Sequence, residues 1–572
     1  MKKWFANIRW KIVLTAFVFT CLLMYPYLIR DFLPVEHDTF FHLSRIEGLA
    51  GSFRNGSFLP AVYPYKNNGF GYGSPLFYCD ILLYPAAFLY IAGVSLARSY
   101  IFIVFLYTWI SAIGMIRLAE SVTKNEYAGY LAGAAFLYTN YRIMDIYVRG
   151  ALGELAAMAF LPFVLQYFYQ ILFENSCGQW KKFAFSLFLL SISHNLTFAM
   201  TVVMLLILFL CSTSRLTKEK LKVMAKGVFL AFILSAFYTI PMLEQTFSQR
   251  FYLHYYSKNS DLAQGAMDLW QYFVNCTVFG YSGNHLEKSL RMTVNIGLFL
   301  TFAPLLWLFV RRKKQLDDAF ITICLIVGYF FWILPCRFLP WDSFSFLRIL
   351  QFPWRLNLIA AVLLCIPAAA VFSRLPYSRI LAVIAVVVLS AECIWHVSPV
   401  TGRSFGITSG TSYEDILSGS LIDPYYSASY VRIECAGGEY LPAGSPDFRE
   451  YPPAIRDSEG NITGLEYKKN GNVLSFTVTD DYAFSALELP LTYYKGYTVY
   501  DMTDGIDPCL VYENENGMVA FRTKDGGKYM CMYADTPLKR FCTWLSGLGL
   551  TFLYLSLFLK PKNDRSPLSF FQ

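Results

Sequence analysis

The sequence predicts an α-helical polytopic membrane protein of about 12 membrane segments, with a C-terminal extracytoplasmic β-sandwich-like domain. Three observations predict it. Of 572 residues, 56% are apolar and only 15% charged, where a soluble chain carries about 25% charged residues. The apolar residues gather in many runs of about 20, the length that crosses a bilayer. The charge is also uneven: residues 397–537 hold 20 Asp and Glu against 10 Lys and Arg, and the remainder holds 20 against 38. Short cytoplasmic loops enriched in Lys and Arg produce such an asymmetry. Together these exclude a soluble enzyme, a fibrous protein and a disordered chain. No aromatic-interleaved basic patch marks a nucleic-acid surface. Aromatics at 18% fit interfacial belts.

The first element is an apolar run to Ile29 behind Lys2, Lys3, Arg9 and Lys11. No small-residue cleavage site follows, so it reads as an uncleaved first span that starts in the cytoplasm. Basic clusters at 1–11, 117–124, 181–182, 215–226, 311–314, 374–379 and 560–565 mark the cytoplasmic side. Spans then fit at 10–29, 100–118, 126–142, 153–173, 223–241, 294–310, 318–335, 355–372, 380–396 and 541–559. The run 76–94 is long enough to cross, but crossing there would place Arg117 and Lys124 outside. It also contains Asp80 and Pro85. It is expected to be an interfacial or re-entrant helix of the first outer loop. The run 183–212 has basic residues on both sides and suits a short helical hairpin with Ser193-His194-Asn195 at its tip.

The expected organisation is a transmembrane domain over 1–396 with a first outer loop at 30–98, an extracytoplasmic β-rich domain over 397–540, and a final span and cytoplasmic tail over 541–572. Both termini are expected in the cytoplasm. Alternating stretches at Asn472–Asp480 and Ala483–Asp501 and the turn signal Asp525-Gly526-Gly527 predict the β-rich domain. The 13 Cys lie mostly in apolar runs, where they serve as small core residues. Cys509 and Cys531 lie in the acidic region, where their pairing is open.

The most unusual stretch follows the first span. Glu36-His37-Asp38 leads into Thr39-Phe40-Phe41-His42-Leu43-Ser44-Arg45-Ile46-Glu47. A helix there would set Asp38, His42 and Arg45 on one face. Gly69–Pro75 forms a glycine-rich aromatic loop containing Tyr72. The second outer loop carries Asp145, Arg149 and Glu154. Ionisable residues at the membrane edge are costly and are functional candidates by default. His194 sits at the hairpin tip; Arg348 and Arg355 flank Gln351-Phe352-Pro353-Trp354. Each residue also has a plain reading. Acids at span ends cap helices or pair with Arg, arginines snorkel to head groups, and a lone His is most often a packing residue. Such a face suits glycosyl transfer. A carboxylate accepts the proton of an attacking hydroxyl, and arginines hold a leaving phosphate by bidentate bonds.

The stretches Glu36–Glu47, Gly69–Tyr84, Asn140–Pro162, Ser193-His194-Asn195 and Gln351–Asn357 resemble the GT-C superfamily of polyprenyl-phosphate-sugar-dependent glycosyltransferases. The resemblance covers roughly residues 1–400 and is greatest to bacterial membrane proteins labelled 6-pyruvoyl-tetrahydropterin-synthase-related. It implies Asp38 as base or acceptor-positioning group, with Glu36 in reserve and His42 beside it. It further implies a second acidic site at Asp145 or Glu154, which in the similar oligosaccharyltransferases contacts a metal. On that likeness a divalent ion (Mg or Mn) would sit on Asp38 and Glu154. Arg149, Arg348 and Arg355 become candidates for the donor phosphate, with Arg45, Tyr72, Asp80 and His194 as further pocket residues. Pterin chemistry is rejected, since the six His show no close ligand spacing.

The expected function is transfer of a sugar from a polyprenyl-phosphate donor to a cell-envelope glycan, lipid or protein acceptor, on the outer face of a bacterial cell membrane. The alternatives are a transporter or flippase of lipid-linked glycan, which would want mid-span charges and related halves, and a non-catalytic envelope scaffold.

Overall fold

The computed structural model describes residues 9–35, 37–259, 261–281, 286–311, 316–403, 406–417, 435, 438–448, 450–479, 486–523 and 526–558. Helical structure forms within each expected span, but 294–310 is broken into Leu298–Phe302, Ala303–Leu306 and Trp307–Val310. The first, α1 (Trp10–Leu23), steps at Met24 into a short helix, Tyr25–Ile29. Pro26 causes the step, because its ring and missing N–H cannot continue an α-helical ladder. After the polar helix α2 (Thr39–Arg54) come α3 (Leu96–Thr123) and α4 (Glu126–Leu137). Their junction is fixed by Asn125, whose side chain accepts from the backbone of Tyr127 and Ala128 at 3.0 and 3.1 Å.

The chain continues as α5 (Leu152–Leu172), α6 (Trp180–Ser191), α7 (Asn195–Cys211) and α8 (Lys218–Ser248). Then follow α9 (Leu316–Ile333), α10 (Leu356–Arg374), α11 (Ser378–Val397) and α12 (Pro537–Phe558). Among the described residues, five helices are long and apolar enough to cross a membrane: 96–123, 152–172, 218–248, 353–374 and 378–402. The run 76–94 breaks into Ser74–Phe77, Ile81–Leu83 and Tyr84–Ile91. Its longest piece spans about 12 Å, too short to cross.

Helices α5 and α10 form the centre, each 89% buried along its most apolar stretch. Helix α11 is only 28% buried there. Its exposed Val383, Ile384, Val387 and Val388 need a non-aqueous neighbour, as a lipid-facing helix does. Helix α12 crosses α8 at small residues: Ser546 Oγ donates to Ile233 O at 2.7 Å, and a Cβ on Gly549 would press on Ile233.

The body has two polar ends. At one, Arg9 pairs with Glu120, Lys124 with Glu174 and Arg374 with Asp318, and Lys220 donates to Leu172 O. These residues come from the basic clusters and their neighbours. At the other end lie α2, the loop 55–74, Arg149, Glu154 and Arg355. The two-residue strands β1 (Leu33–Pro34) and β2 (Gly406–Ile407) pair there. Arg30 donates to Arg403 O at 2.9 Å, and Arg403 to Tyr147 O at 3.2 Å. Arg403 and Gly406–Ile407 are therefore tied to the helical body.

The β-rich unit begins at β3 (Arg456–Asp457) and continues through β4 (Tyr467–Asn470), β5 (Val473–Val478), β6 (Leu487–Thr492), β7 (Tyr497–Asp501), β8 (Asp507–Cys509), β9 (Val511–Glu513), β10 (Met518–Phe521) and β11 (Gly527–Tyr533). Two antiparallel sheets form, in orders β3-β6-β10-β9 and β4-β5-β11-β7-β8. Leu474, Phe476, Val499 and Cys531 of one sheet and Leu487, Leu489, Val519 and Phe521 of the other share one core. β5 alternates as expected, with Leu474, Phe476 and Val478 inward. β6 is buried on both faces, because its outer side meets the loop that carries Phe70; Thr492 N donates to Phe70 O at 2.9 Å. Cys509 and Cys531 both flank Val499, on opposite sides of β7. They stand two strand spacings apart, about 9.5 Å, beyond the reach of a disulfide with each other. Of the turn signal at 525–527, Asp525 lies outside the described residues.

Candidate active site

Asp38 is the N-cap of α2. Two backbone bonds stitch this helix start to the segment before α5: His37 N donates to Val148 O at 3.1 Å, and Asp38 N to Arg149 O at 2.9 Å. The partner segment Asp145–Arg149 is a π-helical turn that ends on Gly150 at φ +61°. Gly150 is required twice over. The left-handed backbone favours it, and a Cβ there would lie 2.9 Å from Thr39 Oγ1. The turn leads straight into α5, whose first turn carries Glu154.

Glu154 is 1% exposed and saturated with donors. Its Oε1 accepts from Arg149 Nη2 at 2.8 Å and from Arg355 Nε at 3.0 Å, and its Oε2 accepts from the Tyr141 hydroxyl at 2.6 Å. Arg149 also pairs with Asp145 across one helical turn and lies 4.7 Å from the Trp354 ring. Arg355 is set by the turn Pro353–Arg355 at the head of α10. Its Nη1 donates to Leu350 O at 3.0 Å and to Gln351 Oε1 at 2.6 Å. Gln351 reaches it from a left-handed φ of +61°. Among the described residues, Arg355 Nη2 has no protein acceptor. Arg348 lies half-buried in the preceding turn, Ser345–Leu350.

Among the described residues no hydrogen bond or ion pair holds the Asp38 side chain. Arg149, Arg355 and Glu154 are its charged neighbours. Burial raises the Asp38 carboxyl above its ordinary range, the two guanidiniums pull it down, Glu154 pushes it up, and burial prevails. Glu36 lies outside the described residues.

The inner face of α2 continues the polar surface. Arg45 Nε donates to Asp80 Oδ1 at 2.8 Å, and Arg45 Nη1 lies 3.1 Å from His42 Nδ1. Because arginine only donates, His42 Nδ1 accepts. Burial, then the Arg45 charge, keeps the His42 pKa well below its ordinary value, so this ring is neutral. Tyr63 also donates to Asp80. His194 N-caps α7, accepting from Thr197 N at 3.3 Å on Nδ1. Tyr78 stands between these groups, its ring 4.1 Å from Arg45 Cζ and 6.1 Å from the His194 ring. A Cβ on Gly153 would overlap the Tyr78 hydroxyl. Tyr72 faces away from the acids, donating to Cys435 O at 3.2 Å.

The structure thus brings Asp38, Arg149, Glu154 and Arg355 together from three distant segments, with Asp145 behind Arg149, and sets His42, Arg45, Asp80 and His194 beside them. Tyr78 and Tyr141 are additions that no local pattern announces. Tyr141 stands 13 residues before the acid it contacts, and Tyr78 two residues before Asp80 in an aromatic run. The donor set does not fit a divalent ion. Two arginines and a tyrosine already occupy Glu154, and Arg149 holds Asp145. No group of three or more His, Cys, Asp or Glu suited to a metal occurs among the described residues.

The fold and site define a multi-helix membrane protein with a buried acid and arginine cluster at one end of its helical body. No family model matches the sequence. A 234-residue stretch is 26% identical to an uncharacterized protein of Lactococcus lactis subsp. cremoris (strain MG1363), over 39% of this chain and 38% of that protein. Among solved structures, the chain is similar to the mycobacterial arabinofuranosyltransferase AftD, with a TM-score of 0.46 and 13% identity over 74% of this chain and 29% of that one. This chain therefore matches well under half the length of either protein.

Proposed function

We propose that the protein is an integral-membrane glycosyltransferase that uses a polyprenyl-phosphate-linked sugar and works at the outer membrane face. The observation that carries this reading is the unheld, half-buried Asp38 carboxylate set beside two arginines that are joined through Glu154. In the proposed step Asp38 accepts the proton of an acceptor hydroxyl. That oxygen bonds to the anomeric carbon of the donor sugar as the bond from this carbon to the phosphate oxygen breaks. Polyprenyl phosphate leaves with the electron pair, and its new charge meets Arg355 and Arg149. Glu154 keeps the two guanidiniums converged, and Tyr141 holds Glu154. A raised Asp38 pKa suits a base, since proton-transfer efficiency is greatest when the pKa approaches the working pH.

The test is Asp38→Asn in the full-length protein in lipid nanodiscs, assayed with polyprenyl-phosphate sugars as donors. Turnover is expected to fall by about 10²–10⁴-fold with the melting midpoint unchanged. Undiminished transfer would remove Asp38 as the base. In the wild type, the rate should fall as acid protonates Asp38, with the midpoint above the ordinary carboxylate value of about 4. The residual rate of Asp38→Asn should lack that limb.

A further inference from the structure

A second concave site lies along the C-terminal half of α2, beyond His42 and Arg45. It is a cleft of about 610 Å³, within the range of about 300–1,000 Å³ usual for small-ligand sites. One wall is α2, through Glu47, Gly48, Gly51, Ser52 and Asn55; the other is the β4–β5 hairpin, through Asn470, Gly471 and Asn472. Tyr65 and Tyr413 supply aromatic surface, and the buried Tyr63 closes the wall behind Gly48.

Its chemistry is specific. Lys66 is the one cation among its lining residues, and it is already paired with Glu47 and the Tyr413 hydroxyl. The cleft therefore offers no open positive charge to a phosphate. The side-chain amides of Asn55, Asn470 and Asn472 make no hydrogen bond to protein among the described residues, so each presents a free donor and a free acceptor. Tyr65 is 55% exposed, yet its hydroxyl is fixed by Gly471 N at 2.7 Å, which makes the ring a rigid platform. Fixed aromatic faces beside free amides match one ligand class. A sugar ring has an apolar C–H face that stacks on an aromatic ring, and a rim of hydroxyls that both donate and accept.

Helix α2 joins this cleft to the acid cluster. Asn55 lies 17 residues beyond Asp38, about 26 Å along the helix. Tyr63 serves both sites: its ring lies 2.8 Å from where a Cβ on Gly48 would be, and its hydroxyl donates to Asp80, the partner of Arg45. We infer that the cleft binds a neutral oligosaccharide, the part of the acceptor remote from the reacting hydroxyl. The assignment to the acceptor rests on the glycosyltransferase reading; the binding itself does not.

Gly51 offers a clean block. A Cβ there meets nothing within 4 Å, so Gly51→Leu fills the cleft without straining the helix. The experiment is binding of a panel of neutral oligosaccharides, with neutral peptides alongside, to the full-length protein in nanodiscs, followed by saturation-transfer NMR. At least one oligosaccharide should bind the wild type, and Gly51→Leu and Tyr65→Ala should each weaken it by roughly tenfold or more. Asp38→Asn should bind as the wild type does. Binding of no sugar, preference for a peptide, or sugar binding that both cleft variants retain overturns the inference. Should sugar binding follow the cleft while Asp38→Asn keeps full transfer, the cleft stands and the base assignment falls.

Discussion

At the residue scale, the site turns on the different fates of two acids. Glu154 is saturated by Arg149, Arg355 and Tyr141, whereas Asp38 keeps its oxygens open. The first organises charge and the second is fit to take a proton. Arg355 ties Glu154 to the turn before α10, because its fork binds Glu154 through Nε and the Leu350–Gln351 turn through Nη1. Arg355→Ala should raise the KM for the polyprenyl-phosphate donor by the loss of one charge-assisted contact, about 1.5–3 kcal/mol. Arg355→Lys should restore little of it, since an ammonium cannot hold Glu154 and the turn at once. A KM left unchanged in both variants would take Arg355 out of the donor site. The candidate acids and arginines were legible from the sequence because charged residues at span ends stand out against apolar runs. Their convergence was not: Arg355 meets Glu154 across 201 residues, and no local period encodes such a pairing.

At the element scale, α2 and the π-helical turn act as one piece. The spacing of Asp38, His42 and Arg45 announced α2, because i, i+4 and i+7 share a helical face. The π turn was illegible, since one extra residue per turn leaves no distinct apolar period. Gly150 and Gly153 mark it only in retrospect, through a left-handed backbone and a close approach of Tyr78. This gives a packing prediction. Gly153→Ala should destabilise the protein by about 1–3 kcal/mol, the usual cost of overpacking, read as a lower thermal midpoint in detergent. Adding Tyr78→Phe removes the overlapping hydroxyl and should return part of the loss. If the double variant is no more stable than Gly153→Ala alone, the Tyr78 contact is not what excludes a side chain at 153.

At the scale of the whole molecule, the ends of the helical body differ in kind. One end holds dispersed ion pairs of Arg9, Lys124 and Arg374 with acids; the other holds the buried cluster and the two-sheet unit. Among the described residues Arg9, Lys124, Lys220 and Arg374 gather at a single end, as expected if their loops face the cytoplasm. Two native thiols test that orientation without engineering. Cys177 lies in the α5–α6 loop, three residues beyond Glu174, the partner of Lys124, and is half-buried. Cys276 is exposed between α8 and α9, and its carbonyl accepts from Thr293 Oγ1 at 2.9 Å. In intact cells a membrane-impermeant maleimide should modify Cys276 and spare Cys177, and permeabilising the membrane should open Cys177 to it. The reverse order would put the acid cluster on the cytoplasmic side, where nucleotide sugars are at hand. A lipid-linked donor would then lose its rationale even with Asp38, Arg149 and Arg355 converged as they are.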